Sequence, residues 1–158
     1  MSAPVTAIVK NVLAFGDGQA DDRSLDGYRP ADPEHFGFDA QIFIGDASDD
    51  WSDSFDLLVC TPSWMIEWID AGRWDRFTGA GLRVVPKSVA VGNGMWFMLR
   101  WDKDEFERTL RTVCEEFSPG PDWGSVASRI GRLIPWEYDY RYDRHVDTHF
   151  GEPFPPPK

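Results

Sequence analysis

Residues 36–60 read FGFDAQIFIGDASDDWSDSFDLLVC, and this stretch decides the fold. Phe36, Phe38, Ala40, Ile42 and Ile44 recur at every second position. Successive side chains of an extended chain point to opposite faces, so this period predicts a strand with one buried face. Residues 45–53 carry Asp46, Asp49, Asp50 and Asp53 and read as a hairpin connection. Phe55, Leu57 and Val59 then resume the alternation and predict the returning strand.

Towards the N-terminus, residues 16–35 are polar and rich in Asp, Gly and Pro, which predicts a loop. Residues 5–15 before it read as a first strand that ends at the turn signal Gly16-Asp17-Gly18. Towards the C-terminus, Thr61-Pro62 is a helix start. The Thr61 hydroxyl can take an orphan amide of the first turn, and Pro62 has the backbone angle and the missing N–H that suit the first helical position. Trp64, Met65, Trp68 and Ile69 give the apolar stripe, and Gly72 is the expected stop. Residues 81–101 look like strand structure. Val84, Val85 and Val89–Val91 precede Gly92-Asn93-Gly94, with residues 95–101 as the second arm of a hairpin and Pro86 making the first arm irregular or an edge.

The clearest helix begins at Asp102. Asp102 and Glu105 have capping-box spacing. Phe106, Thr109, Leu110, Val113, Cys114 and Phe117 follow at helical intervals, and Lys103, Glu107, Arg108 and Arg111 occupy the opposite face. A last helix is predicted from Asp122 to Pro135, with Trp123, Val126, Ala127, Ile130, Leu133 and Ile134 on one side. Strands come first and helices gather late, so the expected fold class is α+β: an antiparallel sheet of about four to five strands with about three helices packed on one face. One domain is expected over residues 1–150, with a Pro-rich, disordered tail at 151–158.

The chain has 158 residues and a formal charge of −11, with a pI near 4.6. Such a field repels nucleic acid and anionic membranes and attracts basic partners, although it also serves solubility alone. No apolar run is long enough to span a bilayer and no secretory leader is visible, so the chain reads as cytoplasmic. Cys60 and Cys114 lack metal-site or redox spacing and read as buried thiols. No phosphate loop, serine-nucleophile elbow or zinc-protease motif is present. His145 and His149 are four residues apart beside Asp143 and Asp147, which on a helix would suit a metal. That segment has no helical apolar pattern, so no metal site is expected. Carboxylate pairs such as Asp49 with Asp50 lie in polar runs, without the apolar pocket that separates the pKa values of an acid and a base. No enzyme activity and no cofactor are expected.

A binding role fits the pattern better. Acidic segments at 17–26, 46–56 and 137–147 are interleaved with or flanked by aromatics. Carboxylates speed encounter with a basic protein, and rings beside them supply desolvated anchors. The expected contacts are Asp46, Asp49, Asp50, Trp51 and Asp53, then Glu137, Asp139, Tyr140 and Asp143. Trp136 and Tyr138 have a second reading, as a staple that holds the C-terminal segment on the core.

FDAQIFIG (residues 38–45), SFDLLVCTPSWM (residues 54–65) and IPWEYDY (residues 134–140) occur in this order. In this the chain resembles the immunity protein 8 family of bacterial polymorphic toxin systems, over roughly residues 36 to 145. Members similarly show a strand ending in Ile-Gly, a Ser-Phe strand running into a Thr-Pro-x-Trp helix start, and a Trp-Glu-aromatic motif after a last helix. Residues 81–94 look longer than the family's usual connection, and the first 35 residues and the tail are not covered. The resemblance implies an inhibitor encoded beside a secreted toxin, with no enzyme activity and no cofactor. Its matching residues Gly45, Thr61, Pro62, Trp64 and Trp136 read as scaffold. Charge complementarity alone points to a basic, nuclease-type toxin. The rival readings are a structural or scaffolding module of a secretion or phage-derived system, and a small metal-dependent hydrolase using His145 and His149.

Overall fold

The alternation over residues 36–60 becomes two antiparallel strands of one sheet. The structure, a computed structural model, describes residues 2–71 and 94–138. Its elements are β1 (Ala7–Phe15), β2 (Gly37–Asp46), β3 (Asp53–Cys60), α1 (Pro62–Asp70), β4 (Met95–Phe97), α2 (Lys103–Phe117) and α3 (Trp123–Ile130). The strand order is β1-β2-β3-β4. β1 and β2 pair antiparallel, with Val12 opposite Ile42 and Ala14 opposite Ala40. β2 and β3 pair antiparallel, with Phe38 opposite Val59 and Ile42 opposite Phe55. The period-2 residues therefore fall on one face, where they meet Phe106, Leu110, Val113 and Cys114 of α2 and Val126, Ala127 and Ile130 of α3. Each large apolar side chain buried there stabilises the fold by about 1.5–3 kcal/mol.

The α+β class and the four strands match the expectation, and the arrangement departs from it in two respects. β4 pairs parallel to β3, Leu58 opposite Met95 and Cys60 opposite Phe97, so the sheet is mixed rather than wholly antiparallel. A parallel partner requires a crossover, and the 34 residues between Cys60 and Met95 that include α1 are long enough for one. The helices also do not share one face. Leu57, Leu58, Val59 and Cys60 are all buried, so this end of β3 needs cover on both sides. Met65 of α1 packs with Leu58 and Cys60, which alternation places opposite the Leu57 and Val59 face.

The helix ends follow their side-chain chemistry. The Thr61 hydroxyl accepts from the Trp64 amide, Asp102 from the Glu105 amide and Asp122 from the Ser125 amide. α3 stops at Ile130, short of the expected end at Pro135, because the chain turns at Gly131. Ile134 returns to the core while Leu133 is 46% exposed, so Leu133 leaves the apolar face assigned to it. The strand expected over residues 95–101 ends at Phe97, and that expected from Val5 starts at Ala7, with Val5 bridging to Gly120 instead. The polar 16–35 loop contributes Leu25 and Tyr28 to the core. The Gly72 stop, the first hairpin arm at 84–93 and the tail lie outside the described residues.

Candidate functional site

The loop after β2 is built, not merely polar. β1 carries an irregularity between Val9 and Asn11, which frees Lys10 from the regular ladder. The Lys10 ammonium donates to the Trp51 carbonyl at 2.7 Å and also to the Asp49 carbonyl. Asp46 closes the start of the loop by accepting from the Thr6 amide at 3.2 Å and the Ser48 hydroxyl at 2.8 Å. These hydrogen bonds, chiefly that from Ser48, hold the Asp46 carboxyl below its ordinary value. Gly45 permits the fold-back, because a Cβ there would stand 2.2 Å from the Trp51 carbonyl oxygen. Asp49, Asp50 and Trp51 are exposed at the tip.

Asp53 has a different place. Its Oδ2 accepts from the indole N–H of Trp123 at 2.7 Å and from that of Trp136 at 2.9 Å. Trp51 meets Trp123 edge to face at 5.1 Å between centroids. Trp136 is 4% exposed and stacks on Phe55 at 6.3 Å. Glu137 is tied to the same strand: the Ser54 amide donates to its Oε1 at 2.7 Å, and its own amide donates to the Ser54 carbonyl at 3.0 Å. Residues 135–137 thus run antiparallel along the β3 edge, with Phe55 bridged to Trp136. The staple reading of Trp136 holds, and Tyr138 packs edge to face on it at 5.9 Å.

The fold therefore brings together Asp46, Asp49, Asp50, Trp51, Asp53 and Glu137, which are separated by up to 91 residues of sequence. Asp56 belongs to the same strand. Partial burial and, second, the nearby Glu137 carboxylate push its carboxyl above the usual value. Asp139, Tyr140, Asp143, His145 and His149 lie outside the described residues. The 17–26 segment does not join this surface through any bond described. Asp26 pairs with Lys103 at 2.9 Å, and Asp22 accepts from the Ser24 amide. Trp123 is the member that the sequence reading assigned to the helix core. No local signal marks its contact with Asp53, 70 residues away. Cys60 and Cys114 are buried thiols, and burial pushes them up to about 12 and about 11. Among the described residues no group of three or more His, Cys, Asp or Glu is placed to hold a metal, and no helix is long and apolar enough to cross a membrane. The surface sets the hydrogen-bonded carboxylates of Asp46, Asp53 and Glu137 beside the indoles of Trp51, Trp123 and Trp136.

The architecture is that of a small α+β domain carrying an acidic, tryptophan-rich edge. The chain matches the family model described as Immunity protein 8 over residues 17–140 and belongs to that family. It is therefore an immunity protein of toxin systems, from a family that is generally non-catalytic and whose members bind a cognate toxin. The match begins well before the 36–145 span of the motif resemblance, so part of the N-terminal loop belongs to the family pattern. A search of curated proteins and a search of solved structures each give no match.

Proposed function

We propose that this protein neutralises its cognate toxin in the cytoplasm of the producing bacterium by covering a basic cleft, of nuclease type, with the surface formed by residues 46–53 and Glu137. The observation that carries this reading is the convergence of residues 46–53 and Glu137 at the edge of β3, where Asp53 bridges Trp123 and Trp136. Asp49 and Asp50 steer the encounter, since exposed charges act mainly on association rate. Trp51, which is 42% exposed and braced against Trp123, is the ring placed to become a desolvated anchor. Asp53 and Glu137 hold the platform, and their own contacts with the toxin are secondary. In sequence Asp139 and Asp143 extend the acidic character of the segment that follows Glu137, and Tyr140 adds an aromatic ring, so these three are proposed as further contacts.

The test is capture of the toxin domain encoded in the adjacent reading frame, across a salt series, with Asp49→Lys/Asp50→Lys and Trp51→Ala. Both variants leave the Asp53 bridge intact. The charge reversal is expected to weaken binding at least tenfold at low salt and to flatten the salt dependence. Binding unchanged by both variants defeats the acidic-loop mechanism.

A further inference from the structure

Lys10 reaches the loop that carries Asp46, Asp49, Asp50 and Asp53, yet among the described residues it forms no ion pair. Its ammonium donates instead to two backbone carbonyls of the tip, that of Trp51 at 2.7 Å and that of Asp49. One side chain thus fixes the peptide units that follow Asp49 and Trp51. The contact has room because residue 45 is glycine. A Cβ there would stand 3.2 Å from Lys10 Cε as well as 2.2 Å from the Trp51 carbonyl oxygen. The irregularity of β1 between Val9 and Asn11 sets Lys10 apart from the regular ladder. The Trp51 ring, 42% exposed, is braced separately by Trp123, edge to face at 5.1 Å. The tip is therefore held twice, through its backbone by Lys10 and through its ring by Trp123.

We infer that Lys10 is the positioning residue of the toxin-binding loop: its ammonium presets the backbone of residues 49–51, so that Asp49, Asp50 and Trp51 meet the toxin already ordered. The inference rests on the acidic-loop reading above. Residues 46–53 carry four aspartates that repel one another, and an exposed tip without a tether samples many backbone conformations. A loop that is ordered before binding loses less conformational freedom when the partner arrives. The role also has a sign that separates it from simple electrostatics. A cation on a surface that faces a basic protein opposes association, so its removal, through charge alone, would tighten binding. Removal of a positioning residue weakens binding.

The experiment compares the wild type with Lys10→Met, which keeps an apolar stem and removes the charge and its donors, and Lys10→Arg, which keeps both. Backbone NMR order parameters are measured in the free proteins, and affinity is measured for the toxin domain from the adjacent reading frame. The order parameters of residues 48–52 are expected near ~0.85 in the wild type and below ~0.6 in Lys10→Met, with those of residues 38–44 unchanged. Lys10→Met is expected to bind about tenfold more weakly, and Lys10→Arg to recover binding to within about threefold of the wild type. Wild-type order parameters below ~0.6 at residues 48–52 overturn the proposal without reference to any variant. So do a Lys10→Met loop as ordered as the wild type, Lys10→Met binding that is unchanged or tighter, and equal weakening by Lys10→Met and Lys10→Arg. Each of these leaves the acidic loop standing where Asp49→Lys/Asp50→Lys still weakens binding. Absence of wild-type binding, or binding unchanged by Asp49→Lys/Asp50→Lys and by Trp51→Ala, overturns both readings.

Discussion

Asp53 illustrates how a single side chain changes meaning once its neighbours are known. In the sequence it is one acid among several. In the fold its carboxylate is the shared acceptor of two indole N–H groups from α3 and the C-terminal segment. Asp53→Ala leaves both donors without this acceptor, one of them on a Trp136 that is almost fully buried. A hydrogen bond to a charged group contributes about 1.5–3 kcal/mol, and an orphaned buried donor is costly in its own right. Asp53→Ala is expected to lower the urea-unfolding free energy by about 2–3 kcal/mol, and a loss below ~0.5 kcal/mol would contradict the bridge. Gly45 and Gly37 show a second residue-scale rule: each is glycine because another group, the Trp51 carbonyl or the Trp64 ring, occupies the space a side chain would take.

At the scale of elements, the start of α1 ties helix to sheet. Thr61 is 1% exposed, and its hydroxyl accepts from the Trp64 amide and also from the Phe36 amide at the entry to β2. Thr61→Val keeps the shape and removes the oxygen, and it is expected to cost about 1–2 kcal/mol, read by thermal or urea unfolding. The carboxylates at the turns and caps set an acid limit. Asp22, Asp46 and Asp122 are each held below the ordinary value of 3.8 by hydrogen bonds, chiefly to Ser24, Ser48 and Ser125. A lowered folded-state pKa means the unfolded chain takes up protons first. Their contribution is therefore complete above 3.8 and disappears as pH falls through the folded values. Asp56 has the opposite sign: its raised value favours folding at low pH, and that benefit is lost as pH rises. Asp56→Asn is expected to unfold at a higher temperature than the wild type at pH 7 and at the same temperature near pH 3. A variant that is less stable at pH 7 would refute the assignment.

For the molecule as a whole, the charge of −11 acts as a field. Like charges oppose compaction, and salt screens them over about 10 Å at 0.1 M. The Tm of the free protein is expected to rise by a few degrees from low to moderate salt, while toxin binding weakens over the same range. A Tm that falls with added salt would show that local ion pairs such as Asp26 with Lys103 outweigh the net repulsion.

The amino-acid sequence by itself determined the strand pair at 36–60, the three helix starts at Thr61, Asp102 and Asp122, the burial of both cysteines and the α+β class. Each of these is written in local periodicity or in a cap within a few residues of the element it governs. It also carried the acid–aromatic segments and the family motifs. Only the tertiary structure decided that α1 lies across the sheet from α2 and α3, that β4 runs parallel to β3, that Asp53 is a bridge, and that Gly37 seats Trp64. Period-2 alternation says which residues share a face. It does not say what covers that face when, as in residues 57–60, both faces are apolar. A hydrogen bond spanning 70 or 83 residues has no local pattern at either end, because its geometry exists only after the β3 edge is paired and the last helix has turned back at Gly131.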